Sequence, residues 1–402
     1  MTTMGPSRGK IKAHLQFKIM QTIKNIKDSY ESQHIPELDG IRGIAILSVL
    51  VYHLFWFTSP GGHWTGLPHL FWKVAQVGWV GVNLFFVLSG FLITRILINQ
   101  KKKPNYFGRF YKRRVLRILP LYLVTLLFIY FHYEHSGPFV FLSLGFLAHI
   151  PSVFGITPCY PGLWSLSVEE QFYLVWPQFI KRFSLHQVKV GAVVICVVSA
   201  VLRGLALKFS SWSILLGVLG GFDGFAYGAI LAIRYLETEG NKKKLKSYSI
   251  ACLVLILIAI IAGYPFGIVT RQKLVGEMFL PSLIYLAASA LMAYSLAQTG
   301  SRRLKYLSSG FLPEWGKLSY AAYLCHYPIP EITNKLFSLY PDIYAHYFEF
   351  WFSVVQFLLS LGGTYIVSLA LYKWIEQPFL KLKDRSLFFS QSGYPQKATE
   401  VP

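Results

Sequence analysis

Apolar residues along this chain fall into long blocks, and most charged residues gather between them. Ten blocks predict bilayer-crossing helices, at 41–58, 78–98, 118–133, 166–180, 189–208, 213–234, 249–264, 279–298, 317–332 and 351–373. Several are a little short of the roughly 20 residues that a crossing takes. An eleventh apolar run, 139–153, is decided by the basic residues. With the N-terminus inside, as its lysines require, ten spans leave only Lys73, Arg271, Lys273 and Lys335 on the outer side. An eleventh span would move Lys242, Lys243, Lys244, Arg302 and Arg303 outside, against the positive-inside rule. The expected fold is therefore an all-α polytopic membrane protein of ten transmembrane helices, both termini cytoplasmic. The segment 139–153 is then re-entrant or interfacial, covered by protein.

Composition agrees. Of 402 residues, 54% are hydrophobic and 14% charged, against about 25% charged in soluble domains. That excludes both a soluble single core and disorder. The net charge of +21 is spread over the inner segments rather than gathered on one face, which excludes a nucleic-acid partner. Cys159, Cys196, Cys252 and Cys325 are far apart, so neither a disulfide framework nor a metal site is expected. The first apolar block starts only near Ile41 with no small-residue cleavage site after it, and is read as a retained span rather than a leader.

Three regions follow. Residues 1–36 form a basic segment. Within it Leu15, Ile19, Ile23 and Ile26 recur at helical spacing between Lys12, Lys18, Lys24 and Lys27, which suits an interfacial amphipathic helix or a partly ordered tail. Residues 37–380 form the membrane domain, and 381–402 a short cytoplasmic tail.

Ionisable residues inside spans are costly and mark candidate chemistry. Arg42 and His53 are eleven residues apart in the first block. On one helix they share a face, about 16 Å apart along the axis. Arg114 and Arg117, spaced i to i+3 at the inner edge of the third block, form a guanidinium pair suited to phosphate. Glu169 and Glu170 open the fourth block, pointing about 100° apart. Arg203, Asp223 and His326 are further buried candidates, and Glu376 is expected to pair with an inner-face arginine.

These residues stand in an ordered series: Arg42 to His53; G-W-V-G-V-N-L-F-F-V-L-S-G-F-L-I at 78–93; R-V-L-R-I-L-P at 114–120; W-S-L-S-V-E-E-Q-F-Y at 164–173; F-D-G-F-A-Y-G-A at 222–229; G-K-L-S-Y-A-A-Y-L-C-H-Y-P at 316–328; and W-I-E-Q-P-F at 374–379. The series, over roughly 34–380, resembles the acyltransferase-3 family of integral membrane acyltransferases. The resemblance implies O-acetyltransferase-like transfer of an acyl group, usually acetyl, from cytoplasmic acyl-CoA to a hydroxyl of a cell-surface or lipid-linked carbohydrate. It implies a bacterial cytoplasmic membrane location and no permanently bound cofactor, acyl-CoA being a co-substrate. By position it carries function onto Arg42, His53 and Glu169, and donor binding onto Arg114 and Arg117. His53 is then the general base, with Glu169 orienting the imidazole, compensating its charge or accepting a proton. Ser89 offers a relay hydroxyl, though close helix packing accounts for a small residue there as well. Some relatives carry a C-terminal hydrolase-like domain, which is not expected here.

The competing expectation is a proton-coupled transporter or flippase of a lipid-linked sugar. It shares the spans, basic inner surface and buried carboxylates, but favours related halves, and no half-to-half similarity is evident.

Overall fold

The computed structural model describes residues 34–58, 65–207, 219–270, 273–339 and 349–382. The expected amphipathic helix at 10–27 and nearly all of the tail lie outside them. Among the described residues every regular element is helical. In chain order the α-helices of eight residues or more are α1 (Pro36–Thr58), α2 (Gly66–Gln76), α3 (Val80–Gln100), α4 (Tyr106–His132), α5 (Gly137–Leu144), α6 (Leu163–Arg182) and α7 (Leu185–Ala206). There follow α8 (Asp223–Glu237), α9 (Lys242–Gly263), α10 (Leu274–Ala297), α11 (Phe311–Cys325), α12 (Pro328–Phe337) and α13 (Glu349–Leu371).

Seven stretches among the described residues are long and apolar enough to cross a bilayer: Pro36–Phe55, Gly66–Gln100, Tyr106–His132, Leu185–Ala206, Lys242–Phe266, Leu274–Ala297 and Phe350–Leu382. The other three expected spans correspond to α6, α8 and α11, and each falls short for a visible reason. α6 carries Glu169, Glu170, Lys181 and Arg182. α8 and α11 have 15 residues each, about 22 Å of rise. Part of the expected block 213–234 lies outside the described residues. In the run 139–153, α5 has only eight residues, about 12 Å, far short of a bilayer core of about 30 Å.

Two boundaries differ from expectation. The third block was expected from 118, yet α4 starts at Tyr106. The segment R-F-Y-K-R-R is rich in arginine and lysine, which are good helix formers, so the basic residues ride on the helix itself. The block 317–332 is not one helix. α11 stops at Cys325 and α12 restarts at Pro328, because proline has no N–H to continue the ladder but fits a first turn. The break falls at His326 and Tyr327.

Close approaches set the register around α1. The backbones of Gly78 and Gly81 lie against the carbonyls of Ser48 and Ala45, and Gly316 lies against that of Asp39, with no room for a Cβ at any of the three. Small residues let membrane helices pack at this distance. α1 therefore sits between α3 and α11, antiparallel to α3.

On the far side of α3, one buried ion pair ties three helices. Arg203 on α7 donates to both Asp223 carboxylate oxygens at 3.0 and 2.9 Å. Ser282 on α10 donates to Asp223 at 2.6 Å, and Arg203 also donates to the carbonyls of Met278 and Gly220. Arg203 and Asp223 thus satisfy one another and link α7, α8 and α10.

Candidate active site

The interrupted helix supplies the first half of the site. Ending α11 at Cys325 orphans its last carbonyls. Tyr160 donates to Leu324 O at 2.5 Å, and His326 Nδ1 lies 2.8 Å from Tyr323 O. A carbonyl only accepts, so His326 Nδ1 carries its hydrogen, and Nε2 of the neutral ring holds the lone pair. That Nε2 is 3.3 Å from His53 Nδ1, which is thereby the donor. His53 Nε2 is left as the basic nitrogen, and the Tyr327 hydroxyl donates to it at 3.2 Å. Donor and acceptor accounting thus assigns one tautomer to each ring.

Burial holds the arrangement. His326 is fully buried, with its ring against those of His53, Tyr323 and Tyr327 at 5.0, 5.6 and 4.4 Å. Tyr323 in turn shares a 2.5 Å hydrogen bond with Ser165 near the start of α6. The position of the His53 ring proton is thus set by its neighbours.

The second half lies deeper, toward the start of α1. Glu169 accepts hydrogen bonds from Ser89 and from Tyr173, one turn further along α6. The Arg114 guanidinium lies over the Tyr173 ring at 5.0 Å and the Phe110 ring at 5.6 Å, within electrostatic reach of Glu169, Glu170 and Arg117. Arg42 pairs with Asp39 at 3.2 Å and senses Arg117, Tyr173 and Glu169. Glu376, buried in the π-helical turn Tyr372–Glu376 that follows α13, senses Arg117 electrostatically, and its Oε1 has no hydrogen-bond partner among the described residues. Glu170 Oε1 is buried with no hydrogen-bond partner among the described residues, and its carboxylate senses Arg114.

The structure therefore brings Arg42, Arg114, Arg117 and Glu169 into one cluster and places His53 in another. The register explains the separation. Gly78 packs at Ser48, beside Tyr52, and Gly81 packs at Ala45. Running antiparallel to α1, α3 carries Ser89 eleven residues beyond Gly78, about 16 Å toward the Arg42 end. Glu169, hydrogen-bonded to Ser89, is drawn to that level, while the hydrogen bonds of His53 go to His326 and Tyr327.

Sequence reasoning ranked His326 as secondary and did not single out Tyr327 or Tyr173. The signals were present: Tyr173 is four residues after Glu169 and so on its face, and Tyr327 follows His326 directly before Pro328, where a helix must restart.

The profile of the acyltransferase domain family (Acyl_transf_3) matches residues 35–373. Among curated proteins, the chain is 29% identical to the peptidoglycan O-acetyltransferase OatA of Listeria monocytogenes, over 88% of this chain and 57% of that protein. It is 25% identical to the O-acetyltransferase OatA of Staphylococcus aureus, over 94% of this chain and 62% of that protein. The chain thus spans about three-fifths of the length of these relatives. No solved structure matches it.

Proposed function

Because the chain belongs to the acyltransferase-3 family, we propose that it is an integral membrane O-acetyltransferase. It moves an acetyl group from cytoplasmic acetyl-CoA to a hydroxyl of a cell-wall or lipid-linked carbohydrate, of which peptidoglycan is the first candidate. The single observation that carries the reading is the oriented imidazole: His53 with its Nδ1 hydrogen directed at His326 and its Nε2 turned to a hydroxyl. An acceptor hydroxyl meeting Nε2 gives up its proton as its oxygen attacks the thioester carbonyl. The C–S bond breaks, and the CoA thiolate takes the proton from the imidazolium.

Arg42, Arg114 and Arg117 hold the anionic donor at the opposite end. The roughly 16 Å between Arg42 and His53 is a distance the extended pantetheine arm can cover. Glu169 acts at the arginine cluster, fixing Tyr173 and Ser89 and offsetting the guanidinium charge, rather than at His53. The Ser89 hydroxyl donates to Glu169 rather than to the base, which favours direct transfer over a seryl relay.

On this reading the chain sits in a bacterial cytoplasmic membrane with ten spans, α6, α8 and α11 adding to the seven apolar stretches, and with both termini cytoplasmic. α6 is the more polar of the three because it carries Glu169 and Glu170, while α8 and α11 are short, with 15 residues each. Family membership and the pairing of His53 with the buried His326 favour group transfer over the transporter or flippase reading.

The test supplies purified protein with acetyl-CoA labelled in the acetyl group and a peptidoglycan fragment. Alkali-labile label on the glycan is expected. A well-folded protein that binds no acyl-CoA of any length, and labels nothing, would return the transporter to the front.

A further inference from the structure

Beyond His53, at the end of the bundle away from Arg42, lies a cluster that neither half of the site uses. α12 starts directly after Tyr327, and Glu331 sits in its first turn. Glu331 Oε1 accepts from the Tyr133 hydroxyl at 2.8 Å, and Oε2 is 3.5 Å from His132 Nε2. The His132 and Glu331 side chains are each 40% exposed, so the cluster is open to a ligand. His132 also stacks on Phe128 at 4.8 Å. The Tyr133 hydroxyl serves the cluster as a donor.

The cluster connects inward through rings. Tyr133 lies 6.3 Å from Tyr160 and Tyr160 lies 4.9 Å from Tyr327, whose hydroxyl sits on the basic nitrogen of His53. Three tyrosines thus run from an exposed carboxylate to the base.

We propose that Tyr133, Glu331 and His132 form the subsite that holds the acceptor glycan beside the sugar being acetylated. The inference rests on the O-acetyltransferase reading and deepens it. His53 is five residues from the end of α1, about 7.5 Å of depth, room for roughly one sugar ring. The rest of an oligosaccharide must lie on the surface at this end. Aromatic rings take the C–H faces of sugars, while an ionised carboxylate only accepts, so it selects hydroxyl and acetamido N–H donors. A contact that only fastened α12 to the end of α4 would need no exposed carboxylate.

The probe is a β-1,4-linked N-acetylglucosamine oligosaccharide, with labelled acetyl-CoA as donor and the full chain in detergent. Glu331→Gln keeps the side-chain shape, and Tyr133→Phe removes only the hydroxyl. Each is expected to raise the acceptor KM about tenfold, as the loss of one charge-assisted hydrogen bond does, with the Kd for acetyl-CoA unchanged. An unchanged acceptor KM in both variants overturns the subsite. So does a parallel loss of donor binding and thermal stability, which marks a fastening contact. A parent that binds acetyl-CoA but acetylates no glycan overturns the O-acetyltransferase reading instead, and the subsite falls with it.

Discussion

His326 Nε2 lies 3.3 Å from His53 Nδ1, so a ring positioned by the break between α11 and α12 sets the proton on a ring positioned by α1. The carbonyl of Tyr323, freed by that break, starts the chain of constraints. An interrupted helix here does what a carboxylate does for a histidine elsewhere: it leaves one nitrogen basic and aims it.

Replacing His326 tests that coupling. His326→Leu removes one of the acceptors around the His53 ring, the Val49 carbonyl remaining, and is expected to lower kcat about tenfold or more. His326→Gln restores an oxygen acceptor and should recover part of the loss. The check is the ranking of kcat at constant acetyl-CoA affinity. Parental turnover by His326→Leu would remove the ring from the mechanism.

The arginine cluster predicts a donor-selective defect. Replacing Arg114 and Arg117 together by Gln should weaken acetyl-CoA binding by about 10²-fold, since each charge-assisted phosphate contact is worth about 1.5–3 kcal/mol. Acceptor binding should change far less. Titration calorimetry with each ligand separates the two, and equal losses with normal folding would contradict the assignment.

Arg203 and Asp223 make a stability prediction with no catalytic content. Asp223→Ala strands a buried guanidinium that now makes a bidentate pair, at a cost of about 3–5 kcal/mol. The double replacement Arg203→Met with Asp223→Leu should recover most of it. Thermal unfolding of the three variants reads the outcome; a double variant no better than the single one would show that the polar net, not charge balance, holds α7, α8 and α10 together.

Topology has its own test. In a chain cleared of its native cysteines, Glu134→Cys should react with a membrane-impermeant maleimide added to intact cells, and Lys243→Cys should not. Ten spans require that pattern, whereas an eleventh crossing within 139–153 would expose both positions.

The helical class and most of the apolar helices are legible in the sequence, because bilayer burial forces apolar runs. The helical class and the single-face spacing of Arg42 and His53 follow from local pattern, whereas the failure of 139–153 to form a crossing helix follows from where the basic residues lie along the whole chain. What pattern could not supply was depth between helices. Glu169 and His53 both look central in sequence, yet the packing of Gly78 and Gly81 on α1 sets α3, and with it Ser89 and Glu169, at the arginine level. Likewise, an apolar count over 317–332 hides the break at Pro328, where the missing N–H outweighs hydropathy and makes His326 a partner of His53.

The central claim is that His53 is the base for acetyl transfer. The most direct measurement follows label from acetyl-CoA to glycan for the parent and His53→Ala, with acetyl-CoA binding measured on the same preparations. The account predicts intact donor binding and transfer reduced by about 10³-fold or more. Transfer by His53→Ala at a rate near that of the parent would contradict it.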